Sequence, residues 1–395
     1  MTTVVMYSHD SVGLGHVRRN RALAFALSKH LPRLTGEPVT GLLIAGNPYA
    51  AQDSLPLGWD WFILPGMTHG EDGYIPRSLG SPTESVRTLR SSTIRAAVEA
   101  LDPDLFIVDR HPWGIGYELA QVLFDARARG CTTVLGLREV IDDPVSAAAE
   151  WRHLDGSRRL LEAFDEVWLY GDPAVHDARR TGELPSALSR LSRPTGYLAC
   201  GRPTDFVDTP EEHPFVLTLV GGGSDGFPLA QIAAATDIPS GHEHLIVTGP
   251  QMPLEQVELL SQIAEGSRGN VRVLRSAPHV PELIASARAV VSMCGYNTAT
   301  EIMATSTPAL VVPRARRRTE QLIRANALTR AGAIDSIRLE DLTTDDLGQW
   351  LASAVTQRVS RDNIRLDGLA EVPKLAAALL RRREQDNAQE LAHVC

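Results

Sequence analysis

Short apolar runs recur along the chain, and stretches with helical spacing separate them. Thr3–Tyr7, Val39–Ala45, Trp61–Leu64, Leu105–Asp109, Thr132–Leu137 and Glu166–Tyr170 read as strands. Most are apolar throughout rather than alternating, which suits a parallel sheet covered on both faces. After the first run, Val17–Leu31 brings Leu23, Ala24, Leu27 and Leu31 to one helical face. Ser85–Ala100, Gly116–Arg129 and Ala147–Phe164 are further helical segments. Strand and helix in alternation predict a doubly wound α/β fold.

The pattern breaks twice. Pro65–Pro82 holds four Gly and three Pro among mixed polar residues and reads as a long loop, a kind of segment that often carries function. Tyr197–Pro214 is rich in Pro, Gly and acids and reads as an interdomain linker. A second strand–helix series follows, with strands at Phe215–Val220, Leu245–Thr248, Val271–Leu274, Ala289–Met293 and Ala309–Pro313. The expected division is 1–200 as a first Rossmann-like domain, 201–214 as linker, 215–370 as a second, and 371–395 as a C-terminal helix and tail. Pro373–Arg383 has helical character, and the polar stretch Glu384–Cys395 is expected to fray.

Bulk properties narrow the function classes. A chain of 395 residues with 43% hydrophobic content supports about two domains with ordinary cores. A net charge of −9 argues against a surface built for nucleic acid. Cys131, Cys200, Cys294 and Cys395 lie far apart without a C-x-x-C, which argues against zinc and against a disulfide framework. The start, MTTVVMYSHD, lacks the basic and apolar regions of a signal peptide. No apolar run approaches the roughly 18 residues that span a bilayer. The expectation is a cytoplasmic protein, monomer or homodimer, without nucleic-acid partner, transmembrane segment or metal.

Five loops carry candidate chemistry. In Ser8–Asn20 a strand is followed by Gly13-x-Gly15-His16 and then a helix. Glycines admit a close ligand, and the positive end of the helix disfavours imidazolium, so His16 can serve as a base. A tight turn with a structural His is the other reading. In Leu219–Pro228, Gly221, Gly222, Gly223, Ser224 and Gly226 leave backbone N–H groups open as an anion nest, or form a flexible turn. In Ser292–Ala333 a helix starting near Asn297 carries Glu301, and a helix starting at Thr319 carries Gln321. A carboxylate can accept from a ribose diol and a helix start favours phosphate, so the segment suits a nucleoside diphosphate at the carboxyl ends of parallel strands. Glu301 as a solvent-facing residue, and Asn297 and Thr298 as mere caps, are the alternatives. Arg314, Arg316, Arg317 and Arg318 crowd a helix start that disfavours cations by about 0.3–1 kcal/mol each. A bound anion would offset that; a solvated charge run is the plain alternative. In Leu105–Gly116, Asp109 ends a strand and His111 follows. Asp109 can orient His16, bind acceptor hydroxyls or cap the loop. Arg138 ends the next strand, while Asp142-Asp143 reads as solvated. Last, Arg275–Leu283 enters a helix at Pro281.

Gly295, Thr298, Glu301, Pro313, Gln321, Asn326 and Ala327 resemble the donor-binding segment of MurG-like GT-B glycosyltransferases. Gly13–His16 and the loop Gly221–Gly226 are similar to two further loops of that group, the second with an extra Gly. The Arg-rich stretch departs from the group's common pattern. The resemblance implies a GT-B architecture, two Rossmann-like doubly wound domains facing a central cleft, with the last helix packing back on the first. It implies a catalytic His16 with Gly13 and Gly15 on the acceptor side; from their places at strand ends, Asp109 is added as its catalytic partner and His111 and Arg138 as acceptor-side candidates. It implies donor contacts from Gly222, Gly223, Ser224, His279, Val280, Gly295, Asn297, Thr298, Glu301 and Gln321, to which the place of Arg314 before a helix start adds that residue as a candidate.

The reading is an inverting, metal-independent glycosyltransferase that needs no cofactor. It moves a sugar from a nucleoside-diphosphate sugar to a hydroxyl or amine of a small, soluble acceptor. UDP is the expected nucleotide, with GDP or dTDP as alternatives. The polar character of Pro65–Pro82 tilts the acceptor away from a polyprenyl lipid. A nucleotide-sugar epimerase or hydrolase on the same frame, and a non-catalytic nucleotide-sugar-binding regulatory protein, are the rival readings.

Overall fold

In the computed structural model, residues 1–9, 15–71, 73–154, 156–203, 213–223, 225–267, 269–277, 279–314 and 319–394 are described. They divide into two units: Met1–Pro173, Asp177–Pro203 and Asp367–Cys395 form the first, and Ala174–His176 and Thr204–Leu366 the second.

The first unit opens with β1 (Thr2–Ser8), α1 (Gly15–Thr35), β2 (Val39–Ala45) and β3 (Trp59–Ile63). Next come β4 (Met67–Gly70), β5 (Gly73–Pro76), α2 (Thr83–Leu101), β6 (Leu105–Asp109) and α3 (Ala120–Ala128). It continues with β7 (Thr132–Arg138), α4 (Pro144–Arg152), α5 (Gly156–Ala163), β8 (Glu166–Tyr170), α6 (Ser186–Leu191) and β9 (Ser192–Pro194). Seven strands form one parallel sheet in the order β3-β2-β1-β6-β7-β8-β9. Val5, Tyr7, Phe106, Val108 and Leu135 are buried in its core. In α1, Val17, Leu23, Ala24, Leu27 and Leu31 are buried, as the spacing predicts. Asn20 fixes α1 to β1 by donating through Nδ2 to the Tyr7 carbonyl at 3.1 Å and to Ser8 Oγ at 2.9 Å.

Three readings of this half need correction. Pro65–Pro82 is not all loop: β4 and β5 pair antiparallel, Met67 opposite Pro76. Met67 and Tyr74 pack with Val86 and Ile115 in a small core of their own, which the Gly and Pro content obscured. The segment Ala147–Phe164 is two helices. Asp143, expected to be solvated, caps the first by accepting from Val145 and Ser146 N–H at 3.0 Å, while Gly156, at φ +80°, opens the second. Helix α3 begins at Ala120 after a single 3₁₀ turn over Ile115–Tyr117 rather than at Gly116.

The second unit runs β10 (Phe215–Leu219), α7 (Phe227–Ala235), β11 (Glu243–Val247), α8 (Leu254–Glu265), β12 (Asn270–Leu274) and α9 (Val280–Ser286). It ends with β13 (Ala289–Ser292), α10 (Tyr296–Met303), β14 (Ala309–Val311), α11 (Glu320–Arg330), β15 (Asp335–Ser336) and α12 (Thr344–Ala354). Its six strands are parallel, in the order β12-β11-β10-β13-β14-β15. The chain then returns to the first unit with α13 (Gly368–Val394), which packs on α1. The stretch expected to fray is helical through Val394. Of the expected linker 201–214, residues 204–212 lie outside the described residues.

Both sheets reverse their strand order once, between β1 and β6 and between β10 and β13. In open parallel sheets such a switch point parts the loops at the carboxyl ends and leaves a crevice for ligand.

Candidate active site

The switch point of the first unit gathers the titratable groups. Ser8 of β1 lies in register with Asp109 of β6, so the loops after both strands start side by side. Asp109 is fully buried, and His16, in the first turn of α1, brings Nδ1 to 2.9 Å from its Oδ2. Arg19, one turn on and 2% exposed, donates from Nη2 to Oδ1 at 2.8 Å and to Oδ2 at 2.6 Å. Burial alone would raise the Asp109 pKa, but Arg19 and His16 hold it at about 2. Burial lowers the pKa of His16; Asp109 opposes that shift, while Arg19 and Arg138 reinforce it.

His9, just after β1, is buried and lies against His111 with ring centroids 3.8 Å apart and the rings tilted by 42°. Its Nε2 lies 2.9 Å from Tyr74 Oη, on β5. Burial first, then the charges of His16 and Arg110, pull its pKa well below the ordinary imidazole value. Glu150 Oε2 accepts from Arg110 Nη2 at 2.7 Å, and its Oε1 lies 3.4 Å from His111 Nδ1. The structure thus brings together His16, Asp109 and His111, with Arg138 ending β7 nearby in the sheet order. It adds Arg19, His9 and Tyr74, which the motif reading passed over. Gly15 begins α1, and Gly13 lies outside the described residues.

In the second unit, three loops follow adjacent strands β10, β13 and β14. After β10, Gly223 has φ +93°, and a Cβ there would meet the Thr248 carbonyl and Met252 N at 2.9 Å. Gly222 accepts through its carbonyl from Gln251 N–H at 2.9 Å. The loop is therefore seated on the turn after β11 rather than free-standing. Ser224 lies outside the described residues. After β13, Gly295 is the N-cap of α10, with φ −68° and ψ 144°. A Cβ at Gly295 would meet nothing within 4 Å. Asn297 and Thr298 stand half-buried in the first turn of α10, and Glu301 is buried at 3% exposure rather than facing solvent. After β14, Gln321 in the first turn of α11 accepts through Oε1 from the Arg314 N–H at 3.0 Å. Arg324, buried on the same helix, donates from Nη1 to the Cys294 carbonyl at 2.9 Å and ties α11 to the start of α10.

Arg314 needs no bound anion to explain it. Its guanidinium donates to Asp225 Oδ2 at 2.7 Å and Glu320 Oε1 at 3.1 Å. Burial works against that charge, but the two carboxylates raise its pKa above the ordinary value. Arg316, Arg317 and Arg318 lie outside the described residues. His279 takes φ 54° and ψ 45° as the N-cap of α9, whose first residue is Val280. Among the described residues, no group of three or more His, Cys, Asp or Glu is arranged to hold a metal ion.

Residues 217–365 match the glycosyltransferase family 28 C-terminal domain. The chain is similar to the UDP-N-acetylglucosamine--N-acetylmuramyl-(pentapeptide) pyrophosphoryl-undecaprenol N-acetylglucosamine transferase of Leuconostoc citreum (strain KM20). The two are 29% identical over 151 residues, which cover 37% of this chain and 40% of that enzyme. The enzyme of the same name from Leuconostoc mesenteroides is 33% identical over 99 residues, 24% of this chain and 26% of that enzyme. The chain thus matches less than half the length of these curated relatives. Among solved structures, Acinetobacter baumannii MurG superposes with a TM-score of 0.54 at 16% identity, covering 97% of this chain and 100% of that one. SnogD of Streptomyces nogalater gives 0.59 at 18% identity, covering 96% and 100%. Phytolacca americana UGT2 gives 0.60 at 15% identity, covering 98% and 94%. The fold is the GT-B fold, two Rossmann-like units with parallel sheets, and the resemblance to MurG-like glycosyltransferases is met again in sequence relatives and fold neighbours alike.

Proposed function

We propose that the chain is a UDP-sugar-dependent glycosyltransferase that works by a single displacement with inversion and without a metal or cofactor. The observation that carries the reading is the convergence of three loops at the second unit's switch point: the seated glycine loop, the start of α10 and the start of α11. They lie within the segment that matches the family 28 domain. Backbone N–H groups of a glycine loop and two helix starts would take the diphosphate, and Glu301 the ribose diol. Their partial positive charge would stabilise the leaving diphosphate, the role a metal plays elsewhere. Gly222, Gly223, Ser224, Gly295, Asn297, Thr298 and Gln321 complete the proposed donor set, with the backbone of His279 and Val280 toward the base. Arg314 joins only by exchanging Asp225 or Glu320 for phosphate.

In the first unit, His16 would be the base. With a proton on Nδ1, shared with Asp109, its Nε2 lone pair takes the acceptor proton. The acceptor oxygen or nitrogen then bonds the anomeric carbon as the bond to the diphosphate oxygen breaks, which inverts that centre. His111 and Arg138, with Gly13 and Gly15, would border the acceptor. We take the acceptor to be soluble and the reaction cytoplasmic; the support is the polar composition of the 65–82 segment. No described helix is long and apolar enough to cross a membrane.

Calorimetric titration with UDP, GDP and dTDP, paired with transfer assays from labelled UDP-sugars, tests the reading. UDP binding with turnover that depends on an added acceptor is expected. Soluble glycosides and polyprenyl-linked acceptors, the kind named by the Leuconostoc enzymes, form the two acceptor arms. Acceptor-independent turnover would favour an epimerase or hydrolase, and binding without any turnover a regulatory protein.

A further inference from the structure

Arg19 was not singled out by any motif, yet it makes the most complete polar contact of the first unit's site. Its guanidinium spans Asp109, with Nη2 on both carboxylate oxygens at 2.8 and 2.6 Å and Nε on Oδ1 at 3.3 Å. The same Nη2 stands 3.0 Å from His16 Nδ1. His16 Nδ1 therefore has two neighbours of opposite kind, an acceptor in Asp109 Oδ2 at 2.9 Å and a donor in Arg19.

A neutral imidazole cannot satisfy both. If Nδ1 carries the proton, it donates to Asp109 and leaves Nε2 free to act as a base. If Nδ1 is bare, it accepts from Arg19, and Nε2 carries the proton and cannot act. We infer that Arg19 is a positioning residue of this site, which through its grip on Asp109 selects the Nδ1–H tautomer of His16. The grip leaves Asp109 ionised and turned toward Nδ1, so the charged acceptor wins the ring proton. Arg19 also sets a cation beside the ring, opposing the carboxylate's pull toward imidazolium.

Among the described residues, the groups facing His16 come from four elements: Arg19 on α1, Asp109 on β6, Arg138 on β7, and His9 after β1 with its ring centroid 6.0 Å away. Of these Asp109 alone draws a proton onto the ring. Loss of the Arg19 charge should leave that pull under-opposed.

The inference rests on the reading of His16 as base, and its deciding readout, the state of the His16 ring, is taken without turnover. Full-length protein labelled with ¹⁵N-histidine is titrated by NMR as wild type, Arg19→Gln and Arg19→Lys, with circular dichroism as the check on folding. Wild-type His16 is expected as the Nδ1–H tautomer, titrating below the ordinary imidazole value. In Arg19→Gln its titration point moves upward, the acid limb of kcat moves with it, and the nucleotide Kd stays within about twofold. Arg19→Lys, which keeps the charge and loses the fork, restores the titration point toward wild type. An Nε2–H tautomer in the wild type overturns the inference, even if Arg19→Gln does not fold. So does a folded Arg19→Gln protein whose His16 titrates as in the wild type. Full turnover in His16→Ala would instead sink the reading of the base, whatever the NMR shows for Arg19.

Discussion

A fully buried carboxylate keeps its charge only where cations or donors meet it, because an isolated buried ion is too costly to hold. Asp109 meets both in Arg19 and His16, and that solution also orients the imidazole. His16→Ala is therefore expected to lower kcat by about 10²–10⁴-fold, the usual contribution of a general base. The nucleotide Kd should stay near wild type, because the proposed nucleotide loops belong to the other unit. The pH dependence has a definite sign. Burial lowers the His16 pKa, so the ring stays neutral and competent to a lower pH than a free histidine. The acid limb of kcat should thus fall below the ordinary value of 6.5; a limb at or above it would show that the ring is not held as described. His16 and Asp109 were legible in the sequence because a strand end and a helix start place a residue at a crevice whatever its neighbours. Arg19 was not, since an arginine next to Arg18 on a helix reads as solvated charge. One signal was available: Arg19 lies four residues before Leu23 and eight before Leu27, on the apolar face of the helix. His9 and Tyr74 meet only through the fold, being 65 residues apart.

Two glycines show how an element's own needs can be told from a ligand's. Gly223 is required by the chain: φ is positive, and a Cβ would strike the backbone of the turn after β11. Gly223→Ala should therefore lower the melting temperature, since alanine at positive φ costs more than the 0.4–1 kcal/mol or so by which such changes stabilise at compatible sites. Gly295 has no such reason. Its φ is −68°, a Cβ would meet open space, and it caps α10, where serine is the better residue. Gly295→Ser should leave the melting temperature unchanged or slightly raised, by a few tenths of a kcal/mol. If the nucleotide approaches that backbone, the same change weakens binding about tenfold, or about 1.4 kcal/mol. Thermal melts and UDP titrations of both variants check the pair; a Gly295→Ser protein with wild-type UDP affinity removes α10's start from the donor site. At this scale the strand–helix alternation was legible because buried parallel strands are apolar along their whole length. The exceptions have local causes. The β4–β5 hairpin hides Met67 and Tyr74 among Gly and Pro, β9 and β15 are too short to carry a period, and Gly156 splits a continuous helical pattern.

At the scale of the whole molecule, chain order and unit membership do not coincide. The chain leaves the first unit, builds the second, and returns its last helix to the first. That helix lies on α1, which carries His16 and Arg19. It buries Leu369, Val372, Ala376 and Leu379, at steps of three and four that lay one apolar stripe along it, with Ala377 beside them. Arg381 adds a bond from Nη1 to the Leu34 carbonyl at 3.3 Å, at the far end of α1. Burying a large apolar side chain contributes about 1.5–3 kcal/mol, so the three largest of these are together worth on the order of 5 kcal/mol or more. Net stabilities of whole domains are only about 5–15 kcal/mol. A chain ending at Leu366 should therefore have a destabilised first unit and should lose transfer, although it keeps every proposed site residue of that unit. It also keeps the whole of 217–365, the segment matched to the family 28 domain, so UDP binding should persist. Scanning calorimetry and UDP titration of the shortened and full chains, run side by side, separate the two effects. Retained transfer at the full-length melting temperature would mean that α13 is dispensable to the unit it joins. Loss of UDP affinity along with transfer would mean that the nucleotide site depends on more than the second unit.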